Sequence, residues 1–204
     1  MNQARLSAGL ESFVLAGGKS SRFGSDKALA LWNGKPLLAY SIVALRDLGL
    51  TPRVVTRDPL PYVEYAKAFV TSERPDMGPL EGLRVALKSS SHEFALVLTA
   101  DMPLVNKTHL QRLLASRAAD TAVVFISEEK NATTLAAIRH PFPGLYPRSA
   151  LPTIESLSPG SSVQALLDRI ALRGLTTDAE TISTLRGVNT PDDLRRLPTG
   201  AGSS

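Results

Sequence analysis

The segment Leu15-Ala-Gly-Gly-Lys-Ser-Ser-Arg-Phe-Gly-Ser-Asp-Lys27 constrains this chain more than any other. It begins where the apolar run Phe13-Val14-Leu15 ends, so a short buried strand over residues 12–16 delivers the backbone into it. Such a polar stretch is costly to bury and poorly suited to a helix interior. Glycines at 17, 18 and 24 let the chain turn sharply and present N–H groups to an anion, while Lys19, Arg22 and Lys27 gather positive charge. The combination suits a triphosphate. Two common phosphate motifs do not account for it. A P-loop needs Gly-x-x-x-x-Gly-Lys-Ser/Thr, and Phe13 stands where its first glycine belongs, although Gly18-Lys19-Ser20 supplies the end. The dinucleotide spacing Gly-x-Gly-x-x-Gly is also absent. A plain solvated βα loop is the competing reading, but the segment exceeds the usual connection of roughly 2–6 residues.

The rest of the chain sets this loop in an alternating pattern. Residues 36–48 carry helical periodicity ending at Gly49, and 53–56 read as a strand, with 69–70 a very short third one. Residues 79–88 open with proline in a first helical turn. The strongest strand pattern is 93–99, followed by Asp101-Met-Pro, a helix over 108–117 and a strand over 121–126. Strand and helix thus alternate over the first ~125 residues, the pattern of a parallel sheet with crossover helices. Beyond that, 135–138 and 144–146 read as strands around a His140-Pro-Phe-Pro143 break, and 148–157 and 162–170 as helices. Thr190-Pro-Asp-Asp193 has an N-cap, a proline at the first helical position and acids at the positive end of the helix dipole. One domain over 1–198 is expected, with a disordered Gly/Ser-rich tail at 199–204.

Composition narrows the chemistry. The 204 residues include no cysteine, which excludes disulfides, thiolate metal sites and cysteine nucleophiles, and agrees with a cytoplasmic location. No apolar run approaches the ~18 residues of a membrane span, and no signal peptide is evident. The net charge of +4 is mild and its basic residues are scattered, so a nucleic-acid partner is not expected.

Three further sites stand out. Asp101 lies just past the carboxyl end of the strongest strand, where open parallel sheets bind ligands, and a carboxylate there suits Mg²⁺. It could equally serve as a turn or N-cap aspartate. Gly78-Pro-Leu-Glu-Gly82 could bring backbone amides to a nucleotide or be a simple turn, and Asn189 could ligate a metal, contact a substrate or shape a turn. His92, His109 and His140 are ungrouped, and Asp120, Glu128, Glu129 and Lys130 read as solvated loop charges.

Taken together, the motifs at 15–27, 78–82, 101–103 and 187–194 resemble those of the molybdenum cofactor guanylyltransferases, within the GT-A-like nucleotidyltransferases, over about residues 12–197. The resemblance implies a three-layer α/β/α sandwich with a mostly parallel, Rossmann-like sheet. It implies transfer of GMP from GTP to a molybdopterin-type phosphate monoester, with release of pyrophosphate. By this likeness Leu15, Ala16, Gly17, Gly18, Thr56, Glu73, Gly78, Pro79 and Leu80 line the nucleotide site. Arg22 and Lys27 neutralise phosphates, with Arg22 toward the acceptor, and Asp101 and Asn189 hold Mg²⁺. Transient contacts with cofactor-supplying and cofactor-receiving proteins follow. Thr56 and Glu73 stand where Asn and Asp are usual. Phe23 replaces Met, Glu81 stands where Ala is common, and Gly187 replaces the first asparagine of the last motif. Two rival readings are a sister enzyme, using CTP on the same cofactor or a nucleoside triphosphate on a sugar phosphate, and a non-catalytic nucleotide-binding protein.

Overall fold

Strands form here because short apolar runs, bounded by Gly, Pro or polar residues, are covered on both faces. In a computed structural model the described residues are 8–17, 23, 26–72, 74, 78–130 and 135–198, with side chains described for all of these but 129, 130, 135 and 136. The strands are β1 (Leu10–Leu15), β2 (Leu31–Trp32), β3 (Lys35–Pro36), β4 (Arg53–Thr56), β5 (Phe69–Thr71), β6 (Phe94–Thr99), β7 (Ala122–Lys130), β8 (Leu135–Pro147) and β9 (Leu172–Thr176). The helices are α1 (Leu37–Arg46), α2 (Pro79–Ser89), α3 (Lys107–Ala115), α4 (Leu151–Ser156), α5 (Val163–Leu167), α6 (Ala179–Leu185) and α7 (Pro191–Arg195).

Seven strands make one sheet in the order β5-β4-β1-β6-β8-β7-β9. Only β8 runs against its neighbours; β5, β4, β1 and β6 are mutually parallel, as are β7 and β9. The expected mostly parallel sheet is present. Alternation along β1 shows how the three layers arise. Val14 and Ala16 join the core that includes Leu38, Ile42 and Leu45 of α1 and Leu110 and Leu113 of α3. Phe13 and Leu15 join the opposite core with Leu83 and Leu87 of α2, Ile154 of α4 and Leu166 of α5. The chain leaves β1 toward β4 and β5, then crosses back to β6 on the other side. The carboxyl ends of β1 and β6 therefore flank a topological switch point, where open α/β sheets bind ligands.

Several sequence expectations need correction. Residues 135–147 form one strand, not two around a break. The break survives as a register shift: Val124 pairs with Gly144, yet Phe125 pairs with His140, so 141–143 are bypassed. Pro141 and Pro143 have no N–H to give the ladder. The Tyr146 hydroxyl instead donates to the Pro141 carbonyl at 2.6 Å, and a Cβ on Gly144 would come within 2.4 Å of that oxygen. Glu128, Glu129 and Lys130 belong to β7 rather than to a loop. Residues 148–157 split into a 3₁₀ turn, Arg148–Ala150, and α4, and α5 is shorter than 162–170. The β2–β3 hairpin, the edge strand β9 and α6 carry too weak an apolar period to be read from the sequence. The tail at 199–204 lies outside the described residues.

Candidate functional site

Three parallel strands end side by side, and their last backbone groups are laced together. Leu15 is in register with both Val55 and Thr99. Just beyond, the Ala16 amide donates to the Val55 carbonyl at 2.8 Å and the Ala100 amide to the Leu15 carbonyl at 2.9 Å. These bonds fix where the chain leaves the sheet on each side of the switch point. Gly17 then adopts φ 144°, a conformation that disfavours residues with a Cβ, and is exposed.

Asp101 follows β6 by two residues, and its carboxylate is the hub of the site. Its Oδ1 accepts from the Thr99 hydroxyl at 2.5 Å, and its Oδ2 pairs with the Lys27 ammonium. The same ammonium donates to Asn189 Oδ1 at 3.3 Å. Residues 74 and 162 positions apart thus meet at one nitrogen. The side chains of Lys27 and Asp101 are 24% and 15% exposed, open enough to exchange partners with a ligand.

Each arm is held from behind. Lys27 opens a single 3₁₀ turn, Lys27–Leu29, whose N-cap Asp26 accepts the Ala28 amide at 3.0 Å. Asn189 is placed by Val188, which is buried with Trp32 and Leu37 and whose amide donates to the Asp101 carbonyl at 2.8 Å. It is also held by the α7 capping box, in which the Asn189 and Thr190 amides donate to Asp193 Oδ2 while the Asp193 amide donates to Thr190 Oγ1. The N-cap, first-turn proline and acids foreseen at 190–193 are all there. Gly187 has a steric reason: a Cβ there would lie 3.1 Å from the Asp101 carboxyl carbon.

The opposite wall is the start of α2. Gly78 has φ 80°, Pro79 occupies the first turn, and Leu80 is buried. Gly82 lets the helix approach β1, because a Cβ would meet Leu15 Cδ1 at 3.1 Å. Glu81 does not offer a spare carboxylate to this wall. Arg84 grips both its oxygens at 2.7 Å and Ser72 donates to Oε1 at 3.0 Å. Burial pushes the Glu81 carboxyl up, but the Arg84 and Ser72 hydrogen bonds and the Arg84 and Arg74 charges outweigh it, leaving it below the ordinary carboxylate value.

Other candidates fall in different places. Thr56 ends β4, but it is buried and its hydroxyl donates to the Asp58 carbonyl at 3.1 Å. Gly18, Lys19, Arg22, Gly24 and Glu73 lie outside the described residues. The histidines are apart from the site. His109 is buried in the α3 cap, where its Nδ1 accepts the Asn106 amide at 3.2 Å, and His140 pairs with Ser127 at 2.9 Å. Sequence reasoning missed Thr99, Asp26 and Tyr62 as supports. A Thr two residues before Asp101 at a strand end was the one available hint.

An open groove of about 1110 Å³ adjoins the cluster, lined in part by Lys35, Tyr40, Leu104, Gly187, Asn189 and Asp193. The arrangement gathers two oxygen donors, a lysine and exposed backbone at a switch point beside a groove, the kind of chemistry that a phosphorylated ligand and a hard divalent cation call for.

Comparison with known proteins places the chain in a family. Residues 12–174 match the model of the MobA-like NTP transferase domain. A probable molybdenum cofactor guanylyltransferase from Flavobacterium johnsoniae is 31% identical over 92% of this chain and 96% of its own length. A molybdenum cofactor guanylyltransferase from Pseudomonas putida is 30% identical over 89% and 94%. The solved structure of molybdopterin-guanine dinucleotide biosynthesis protein A from Archaeoglobus fulgidus superposes with a TM-score of 0.73, at 22% identity over 91% of this chain and 95% of that one. A 4-diphosphocytidyl-2C-methyl-D-erythritol synthase from Anaerococcus prevotii shares the fold at a TM-score of 0.69 and 11% identity, over 94% and 96%. With the sheet, the switch-point site and these likenesses in hand, the chain belongs to the MobA-like NTP transferase family and is a nucleotidyltransferase.

Proposed function

We propose that this enzyme transfers GMP from GTP to a molybdenum-loaded molybdopterin, giving the guanine dinucleotide cofactor and pyrophosphate. The observation that carries the reading is the meeting of Lys27, Asp101 and Asn189 at the switch point, in a chain that matches relatives named as molybdenum cofactor guanylyltransferases over nearly their whole length. The acceptor phosphate attacks the α-phosphorus of GTP in line, and the bond to pyrophosphate breaks. Positioning and charge neutralisation do most of the work in such a step.

The chain's own groups divide these tasks. Backbone at Leu15, Ala16 and Gly17, continuing to Gly18, and at Gly78, Pro79 and Leu80 frames the nucleotide, with Thr56 and Glu73 beside it. Lys27 turns from Asp101 to the triphosphate, and Arg22 faces the acceptor. The adjoining groove, which reaches Gly187 and Asn189, gives the acceptor its approach.

The residues present fit Mg²⁺, because Asp101 and Asn189 present hard oxygen donors to a single cationic nitrogen in this structure. Among the described residues no group of three or more His, Cys, Asp or Glu could hold a metal, so substrate phosphates and water would complete the shell. When bound, the ion supplies charge neutralisation on the triphosphate.

The cytoplasm and transient contacts with cofactor-supplying and cofactor-receiving proteins belong to this proposal. No helix among the described residues is long and apolar enough to cross a membrane. The test is pyrophosphate release with GTP, CTP and UTP, each with Mg²⁺, with and without molybdenum-loaded molybdopterin. Release with GTP that depends on the acceptor is expected. Preference for CTP, or release only with a sugar phosphate, would overturn the reading in favour of a sister enzyme.

A further inference from the structure

Lys27 is the moving part of the proposed reaction, yet it sits on a turn of only three residues. A turn that short cannot hold a lysine in place through its own hydrogen bonds. Its single side-chain cap, Asp26, must be fixed by something else. Among the described residues one side chain does this. Asp26 Oδ1 accepts the Ala28 amide at 3.0 Å, while its other oxygen, Oδ2, accepts from the hydroxyl of Tyr62.

Tyr62 is a firm anchor. Its residue is 3% exposed, and its ring lies in the core that contains Val14, Leu38 and Ile42. Its backbone carbonyl accepts the Tyr65 and Ala66 amides at 3.0 and 3.1 Å, which ties the excursion between β4 and β5 around it. Burial, then the hydrogen bond and charge of Asp26, push the phenol far above its ordinary value, so it keeps its proton and acts as the donor. The route from a core aromatic to the Lys27 ammonium is therefore one phenol, one carboxylate and one turn.

We propose that Tyr62 is a positioning residue for Lys27, acting through Asp26 to aim the ammonium at the Asp101–Asn189 oxygens and, on ligand binding, at the triphosphate. The destination of that aim rests on the nucleotidyltransferase reading; the aim itself does not. Tyr62→Phe removes the hydroxyl and keeps the ring in the core. Asp26→Ser keeps a competent cap for the turn but is too short to reach Tyr62.

Two measurements separate the proposal from the reading beneath it. The first is acetylation of Lys27 by acetic anhydride, followed by mass spectrometry with the surface residues Lys35 and Lys88 as internal references. A several-fold faster modification of Lys27 is expected in both variants, with the references unchanged. Equal Lys27 rates in wild type and variants would overturn the proposal, whatever the enzyme's activity. The second is pyrophosphate release. Tyr62→Phe is expected to lower kcat about tenfold with a smaller change in KM, and to add less than about twofold when Lys27 is already Ala. The same fold-loss in both backgrounds would show that Tyr62 serves the fold alone. If wild type releases no pyrophosphate, the function falls while the labelling still decides the role of Tyr62.

Discussion

Two ion pairs lie on opposite walls of the switch point, and they are built in opposite ways. Glu81–Arg84 joins residues one helical turn apart, with both side chains 9% exposed and a two-pronged contact reinforced by Ser72. Lys27–Asp101 joins residues 74 positions apart through a single nitrogen, and its side chains are more open to solvent. The first is closed: every prong of the carboxylate has a partner, and removing one would strand a buried charge. The second is open, and on the proposed function a phosphate and a cation replace it. The lesson is that a carboxylate near a nucleotide wall is not functional by proximity. Whether its partners can be exchanged decides.

The largest expected effect falls on the open pair. Asp101→Ala should cost at least about 10²–10³-fold in pyrophosphate release, with an unchanged circular dichroism spectrum. Substantial activity in the purified variant would remove Asp101 from the mechanism. Lys27→Met should lose a similar factor in rate but shift unfolding free energy by no more than about 1 kcal/mol, measured in urea. It should also bind Mn²⁺ without nucleotide about an order of magnitude more tightly, read by electron paramagnetic resonance, because the competing ammonium is gone. A weaker Mn²⁺ affinity would show that Lys27 supports rather than competes for those oxygens.

The closed pair should show the converse. Arg84→Met strands Glu81 and should lower stability by about 3–5 kcal/mol, while the double change Glu81→Leu with Arg84→Met recovers most of it. A stability loss below about 1 kcal/mol in Arg84→Met would break the contrast between the walls. Acid should reveal the same difference. Glu81 sits below its ordinary value of 4.5, so its contribution is complete above that pH and is lost as pH falls through the lower folded value. Urea titrations from pH 6 to 3 should show this loss in wild type and a flatter profile in the double variant.

The smallest effect concerns spacing. Gly187→Ala would place a Cβ 3.1–3.2 Å from the Asp101 carboxylate atoms, tight enough to shift them by tenths of an ångström. A fall in kcat of roughly tenfold with little loss of stability is expected. An unaffected kcat would mean that the carboxylate gives way freely.

Legibility in the sequence followed the range of the interaction. The α7 cap could be read because Thr190, Pro191 and Asp193 satisfy one another within four residues. The strand β6 and helix α2 could be read from apolar runs and a leading proline. The edge strand β9 could not, since Leu172-Arg-Gly-Leu-Thr176 has little to bury and takes its shape from β7, where Ile126 covers Gly174. Glu81 shows a second limit: the sequence places an acid where Ala is common, and only the fold, which brings Ser72 and Arg84 onto its two oxygens, shows that the carboxylate is taken.

By itself the sequence determined the alternation of strands and helices, the glycine that follows β1 at position 17, and an acid just past the end of β6. Each of these is dictated by local periodicity, backbone freedom or turn chemistry. Only the tertiary structure decided that Lys27, Asp101 and Asn189 meet, that Glu81 is closed off, and that Tyr62 stands behind Lys27. Those contacts join residues from 3 to 162 positions apart, and the longer ones exist because strand order places the ends of β1 and β6 side by side. No local rule carries that order, since it is fixed by which faces of the sheet the helices cover.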